Sequence, residues 1–236
     1  MLWWVIAAAA AFFVKGLCGF ANTLVFTTIL SFGQNNLAIS PVELLLGYPT
    51  NAILAWKERR AIDWKLCLPL CGMVLAGCLP GAFLLKSVDA RAIKLFFGVV
   101  IVLIALEMLL RKGGAGRQNR WLMLTVGVLS GVLCGLFGVG ALLGAYLSRV
   151  TDDTHAFKGN LCMVFFVENT FRLILYIASG IITVEAVQQV LRLAPVMLLS
   201  LWLGMKAGHI INEKSAKKIV LIMLLISGVA LIINSL

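Results

Sequence analysis

Charge is scarce in this chain. Asp, Glu, Lys and Arg together make up 13% of its 236 residues, where a soluble domain carries about a quarter. That shortage excludes a globular surface facing water on all sides. Histidine is rarer still: only His155 and His209 occur, far apart and without triad or metal-ligand spacing. No G-x-S-x-G, P-loop, H-E-x-x-H or C-x-x-C pattern is present. Enzymatic chemistry therefore has no foothold, and no catalytic centre, metal or cofactor is expected. The start, Met1-Leu2-Trp3-Trp4, lacks a basic n-region and an A-x-A-like cleavage site, so a cleaved signal peptide is not expected.

What is abundant is apolar sequence, 61% of residues, arranged in long blocks such as Ile93–Leu110 and Ile219–Ile233. A bilayer core of about 30 Å takes roughly 20 helical residues, and these blocks have that length. The pattern predicts an all-α polytopic membrane protein with segments near 2–32, 41–56, 66–85, 93–110, 121–148, 159–179, 187–208 and 217–234. The net charge of +10 sits in short clusters between blocks, among them Lys57, Arg59 and Arg60 and again Arg111, Lys112, Arg117 and Arg120. Such loops mark a cytoplasmic face rather than a nucleic-acid surface. The expected setting is the inner (plasma) membrane, multi-pass, with the lipid bilayer as partner, no nucleic acid, and a homodimer as one mode of assembly. Cys18, Cys67, Cys71, Cys78, Cys134 and Cys162 all lie inside apolar blocks and read as small core residues.

Two blocks are too long for one crossing and are interrupted. Lys15, Gly16, Gly19 and Asn22 break residues 2–32, and a series of glycines from Gly127 to Gly144 breaks residues 121–148. Gly16-Leu17-Cys18-Gly19-Phe20-Ala21 aligns with Gly135-Leu136-Phe137-Gly138-Val139-Gly140, and Pro69 matches Pro195. The chain thus reads as two related halves, residues 1–112 and 120–236, joined by a polar link at 113–119. Each half has a broken first element followed by about three transmembrane helices. If each long block crosses once, loop Lys and Arg divide evenly between the two sides. If each dips in and returns, only Lys86, Arg91, Lys94 and Arg192 oppose all the other loop cations. The second arrangement obeys the positive-inside rule and makes the halves inverted.

Non-helical backbone at membrane depth survives only where protein buries it or a cavity adjoins it. A helix break exposes N–H groups and a positive dipole end, both suited to an anion. The expected binding walls are Gly19, Ala21, Asn22 and Thr23 on one side and Gly138, Val139 and Gly140 on the other. Ionisable groups in the bilayer add Lys15 at the first break and Arg172, which is spaced to pair with Glu168 and has Asn169 beside it. Asn51 and Asn160 follow the two breaks and offer side-chain amides. Glu107 pairs more naturally with Arg111 at a surface. No lone intramembrane carboxylate stands out as a coupling group.

With these residues in hand, the chain resembles the TauE/SafE sulfite exporter family of membrane transporters over roughly residues 8–235. The resemblance rests on Lys15–Leu24 (KGLCGFANTL), Ser40-Pro41, Gly47–Asn51, Arg59–Pro69 (RRAIDWKLCLP) and Leu79–Leu85 in the first half. In the second half it rests on Gly131–Leu143 (GVLCGLFGVGALL), Ala156–Arg172 and Leu201–Leu225. It implies a secondary transporter, an exporter of a small anion such as sulfite, a sulfonate or a related organic acid, held at the glycine-rich breaks. The further Gly and Pro common after the family's breaks are replaced here by Ala21-Asn22 and by Gly140-Ala141-Leu142. The competing reading is a membrane scaffold or assembly subunit whose glycines serve packing alone. A channel would need more pore-lining polar residues than the chain has.

Overall fold

A computed structural model of the chain describes residues 1–31, 33, 34, 36–87, 120–138, 140–151 and 153–210, with scattered helical positions within 95–106 and 222–233. The expected spans near 93–110 and 217–234 are seen only at those scattered positions. The link at 113–119 and the Glu107–Arg111 pairing lie outside the described residues, as does Val139.

All regular structure among the described residues is helical. Helices α1 (Leu2–Cys18), α2 (Asn22–Ser31), α3 (Asn36–Lys57) and α4 (Trp64–Ser87) form the first group, with a short 3₁₀ turn at Arg59–Ala61. Helices α5 (Arg120–Phe137), α6 (Ala141–Val150), α7 (Thr154–Ala178) and α8 (Val184–Ile210) form the second. Three stretches are long and apolar enough to cross a membrane: Trp64–Gly81, Thr154–Ala178 and Val184–Gly208. The polarity is that of a lipid-embedded protein. Trp3, Trp56, Leu68, Trp121, Ile174 and Leu191 face outward, while Lys15, Glu43, Glu168 and Arg172 are buried. Trp56, Trp64 and Trp121 stand at helix ends, where indole rings suit the bilayer interface.

Some helices begin earlier than the sequence suggests. Pro41 marks a natural start for α3, yet the helix runs from Asn36 through Pro41 and Pro49. A proline removes one backbone hydrogen bond and crowds the preceding turn, which packing by neighbouring helices offsets at membrane depth. Helix α7 opens a turn earlier than its apolar run, because the Asp153 carboxylate accepts from the Ala156 N–H at 2.8 Å and caps it.

Both long blocks are interrupted, and in the same way. The Gly19 N–H donates to the Lys15 carbonyl at 2.7 Å with φ 85°, and the Gly138 N–H to the Cys134 carbonyl at 2.7 Å with φ 72°. Each is a left-handed helix cap, a conformation that only a residue without Cβ adopts without cost. Past the first break the chain doubles back. In an unbroken rod Trp4 and Phe26 would stand about 33 Å apart. Their rings lie 5.9 Å apart, edge to face.

The packing has a two-fold pattern. Helix α1 crosses α8 as α5 crosses α4, α3 meets α8 as α7 meets α4, and α3 and α7 touch at the centre. At the two main crossings backbones touch directly. A Cβ on Gly16 would strike the Leu201 carbonyl, and one on Gly131 the Val74 carbonyl. Small residues let membrane helices approach this closely, where dispersion and Cα–H contacts replace the hydrophobic drive that lipid cannot supply.

Candidate functional site

The start of α2, the middle of α3, the second break and the middle of α7 converge on one cavity. Its lining includes Ala21, Asn22, Thr23, Glu43, Asn51, Gly138, Gly140 and Asn169, with Phe20 and Phe165 as apolar walls. The cavity measures about 20 Å³, room for roughly one water. A sulfite-sized anion fits only after the walls separate.

Glu43 holds the centre. Its carboxylate is 3% exposed. One oxygen accepts from Asn22 Nδ2 at 2.9 Å and from Thr23 Oγ1 at 2.5 Å; the other accepts from the Arg172 guanidinium at 3.2 Å. Two helices that cross thus bring a carboxylate from α3 to the mouth of α2 and to a cation on α7. Gly47, one turn along α3, keeps this approach open, since a Cβ there would crowd both the Glu43 carboxylate and the Asn22 amide.

Arg172 ties the second break into the cluster. It donates to the Cys134 carbonyl at 2.7 Å and to Asn169 Oδ1 at 3.3 Å, and its Nε lies 3.7 Å from Glu168. The Cys134 carbonyl belongs to the last turn of α5, where the helix dipole is negative, so the guanidinium neutralises that end. The Tyr176 ring lies 5.7 Å from the guanidinium and donates its hydroxyl to the Gly135 carbonyl. The expected Glu168–Arg172 contact is present. The nearer carboxylate, though, is Glu43.

Lys15, 1% exposed, lies behind the cavity wall and donates to Asn51 Oδ1 at 2.6 Å. It orients Asn51, which lines the cavity. Gly19 turns the chain, its Cα packed on the Lys158 stem. Ala21 is the only non-glycine among the described residues with positive φ, 71°. Gly140 fits against the Phe165 ring, which a Cβ would overlap. Asn160 is elsewhere: its amide oxygen accepts from the Asp63 N–H at 2.8 Å and joins α7 to the start of α4. Cys67 and Cys162 are free thiols, Cys67 against Asn160 at that junction and Cys162 between α7 and the Gly19 carbonyl at the first break.

The sequence-based set of site residues does not contain Glu43, although a signal for it exists. A carboxylate within Val42–Gly47, inside the expected membrane segment 41–56, is too costly to leave without a partner and a purpose. Its partner is 129 residues away, so no local spacing announces it.

A helical, lipid-embedded chain whose interrupted helices enclose a buried charged cluster has the architecture of a membrane transporter. The family model for the sulfite exporter TauE/SafE matches residues 4–231, and the chain belongs to that family. No curated protein and no solved structure matches it.

Proposed function

We propose that this protein is a secondary transporter, an exporter, of a small oxyanion such as sulfite or a sulfonate, bound between the two helix breaks. The observation that carries this reading is the shared cavity. Both interrupted elements reach it, at Ala21–Thr23 and at Gly138 and Gly140, and the hydrogen-bond donors of Asn22, Thr23 and Asn51 surround it with Arg172 behind Gly138. Donors at a break supply what an oxyanion loses on leaving water, and Phe20 and Phe165 exclude solvent from it. Lys15 and Arg172 supply positive potential at a depth where lipid offers none. Asn160, at the α4–α7 junction, serves to position α7.

The chain crosses the inner membrane several times as two inverted repeats, residues 1–112 and 120–236, that rock against each other. The reversal at the first break and the exchange symmetry of helix contacts support this arrangement. The small cavity is then a closed state, opened to either side as the repeats move.

The test is flux. Proteoliposomes carrying the protein are expected to move sulfite, a sulfonate or thiosulfate, and Asn22→Ala and Gly138→Leu are each expected to slow that movement. Flux indifferent to both changes rejects this site. Absence of flux for every anion favours the scaffold reading.

A further inference from the structure

The donors at the first break are already committed. Asn22 Nδ2 and Thr23 Oγ1 both point to one oxygen of Glu43, and Arg172 points to the other. Glu43 therefore occupies the donors that an incoming oxyanion needs, as an anion built into the protein. The two cannot use them together while both are charged.

Charge counting gives the same answer. Facing Glu43 are Arg172 and Glu168 from α7, Lys15 from α1 and the Cys134 thiol from α5. Tyr176 from α7 faces it as well, and Cys78 from α4 reaches it through Glu168 and Arg172. With Arg172 and Lys15 protonated and Glu43 and Glu168 ionised, two cations offset two carboxylates and the four carry no net charge. An added anion would leave net negative charge in a medium that stabilises it poorly. Neutralising Glu43 alone leaves Arg172 paired with Glu168 at 3.7 Å and Lys15 uncompensated, a net of one positive charge that suits one monovalent anion.

We propose that Glu43 is the proton-binding group of this transporter and that anion and proton occupy the site together. The proposal rests on the anion-transport reading above. A proton from water on the open side bonds to a Glu43 carboxylate oxygen and makes the neutral acid. The Asn22 N–H, the Thr23 O–H and one Arg172 N–H then turn to the anion's oxygens, and the new carboxyl O–H is a further donor. On the opposite side the anion leaves, the proton returns to water, and the carboxylate retakes its three donors. Transport of a monovalent anion is then electroneutral, and the combined anion and proton gradients set its direction.

The test is calorimetric binding of methanesulfonate, ionised at every pH used, to the detergent-purified protein in two buffers of different ionisation enthalpy. The expected result is uptake of about one proton per anion, with affinity falling about tenfold per pH unit on the alkaline side. In Glu43→Gln, proton uptake is expected to vanish and affinity to lose its pH dependence. An infrared difference spectrum of the unaltered protein on anion addition should gain a protonated-carboxyl band, a readout that needs no folded variant. Binding without proton uptake overturns the coupling and leaves the anion site standing. Uptake undiminished in Glu43→Gln overturns the assignment to Glu43. No binding of methanesulfonate or sulfite overturns the site reading, and the coupling with it.

Discussion

At the first break the polar groups follow directly in sequence: Gly19 turns the chain, and Asn22 and Thr23 open the next helix facing the cavity. At the second break nothing comparable follows, for Gly140-Ala141-Leu142 offers only backbone. There the polarity arrives from outside, as the Arg172 guanidinium on the Cys134 carbonyl beside Gly138. The two caps share a hydrogen-bond pattern and a backbone hand, yet one break carries its own donors and the other borrows a cation. Two caps of the same backbone geometry can thus differ in chemistry, because the cap depends on glycine and the polarity does not.

The borrowed cation is the place to break this comparison most severely. Arg172→Leu leaves Glu43 and Glu168 buried, with Lys15 the one cation among the described residues still facing Glu43, at a cost of about 3–5 kcal/mol. Thermal unfolding in detergent should show a loss of that order, partly restored when Glu43→Gln is added. If the double variant is no more stable than the single one, Glu43 is not the partner that matters. Arg172→Lys should not substitute fully, since an ammonium cannot span the Cys134 carbonyl and a carboxylate with one planar fork.

Next in size is the contrast between the two caps. Alanine at either Gly19 or Gly138 suffers the left-handed backbone cost of about 1–2 kcal/mol. At Gly138 the new methyl also meets Arg172 and Glu43, while at Gly19 it meets the flexible Lys158 chain. Gly138→Ala should therefore destabilise more and should slow flux disproportionately. Equal effects at both positions would mean that the Arg172–Glu43 contact adds nothing to the second cap.

Asn22→Ala tests the donors that the first break carries. Removing one donor to a charged acceptor costs about 1.5–3 kcal/mol; the acceptor in this structure is the Glu43 carboxylate, so stability in detergent should fall by that order, and anion affinity at least about tenfold. Smallest of all, Asn160→Ala should lower stability by about 1 kcal/mol through loss of its bond to the Asp63 N–H. The KM for anion flux should stay where it is. A raised KM would bring Asn160 back into the binding site.

Local features of the chain foretold some elements and not others. The interruptions near Gly19 and Gly138 were readable because each glycine sits in a block too long for one crossing. The Glu168–Arg172 contact was readable because i,i+4 spacing places both on one helix face. The true start of α3 was not, since Pro41 argues against a helix that only its neighbours sustain. Nor was the part played by Asn160. Its position after the second break mirrors Asn51 after the first, but α7 turns it toward α4 and away from the cavity.

By itself the sequence determined that this is a helical membrane protein with two interrupted elements, since bilayer thickness sets segment length and only glycine takes the left-handed caps cheaply. Tertiary structure alone decided which buried charges meet. Glu43 and Arg172 are distant in sequence and neither predicts the other. They meet because α3 and α7 pack together at the centre of the bundle, where a charge without a partner could not stay buried.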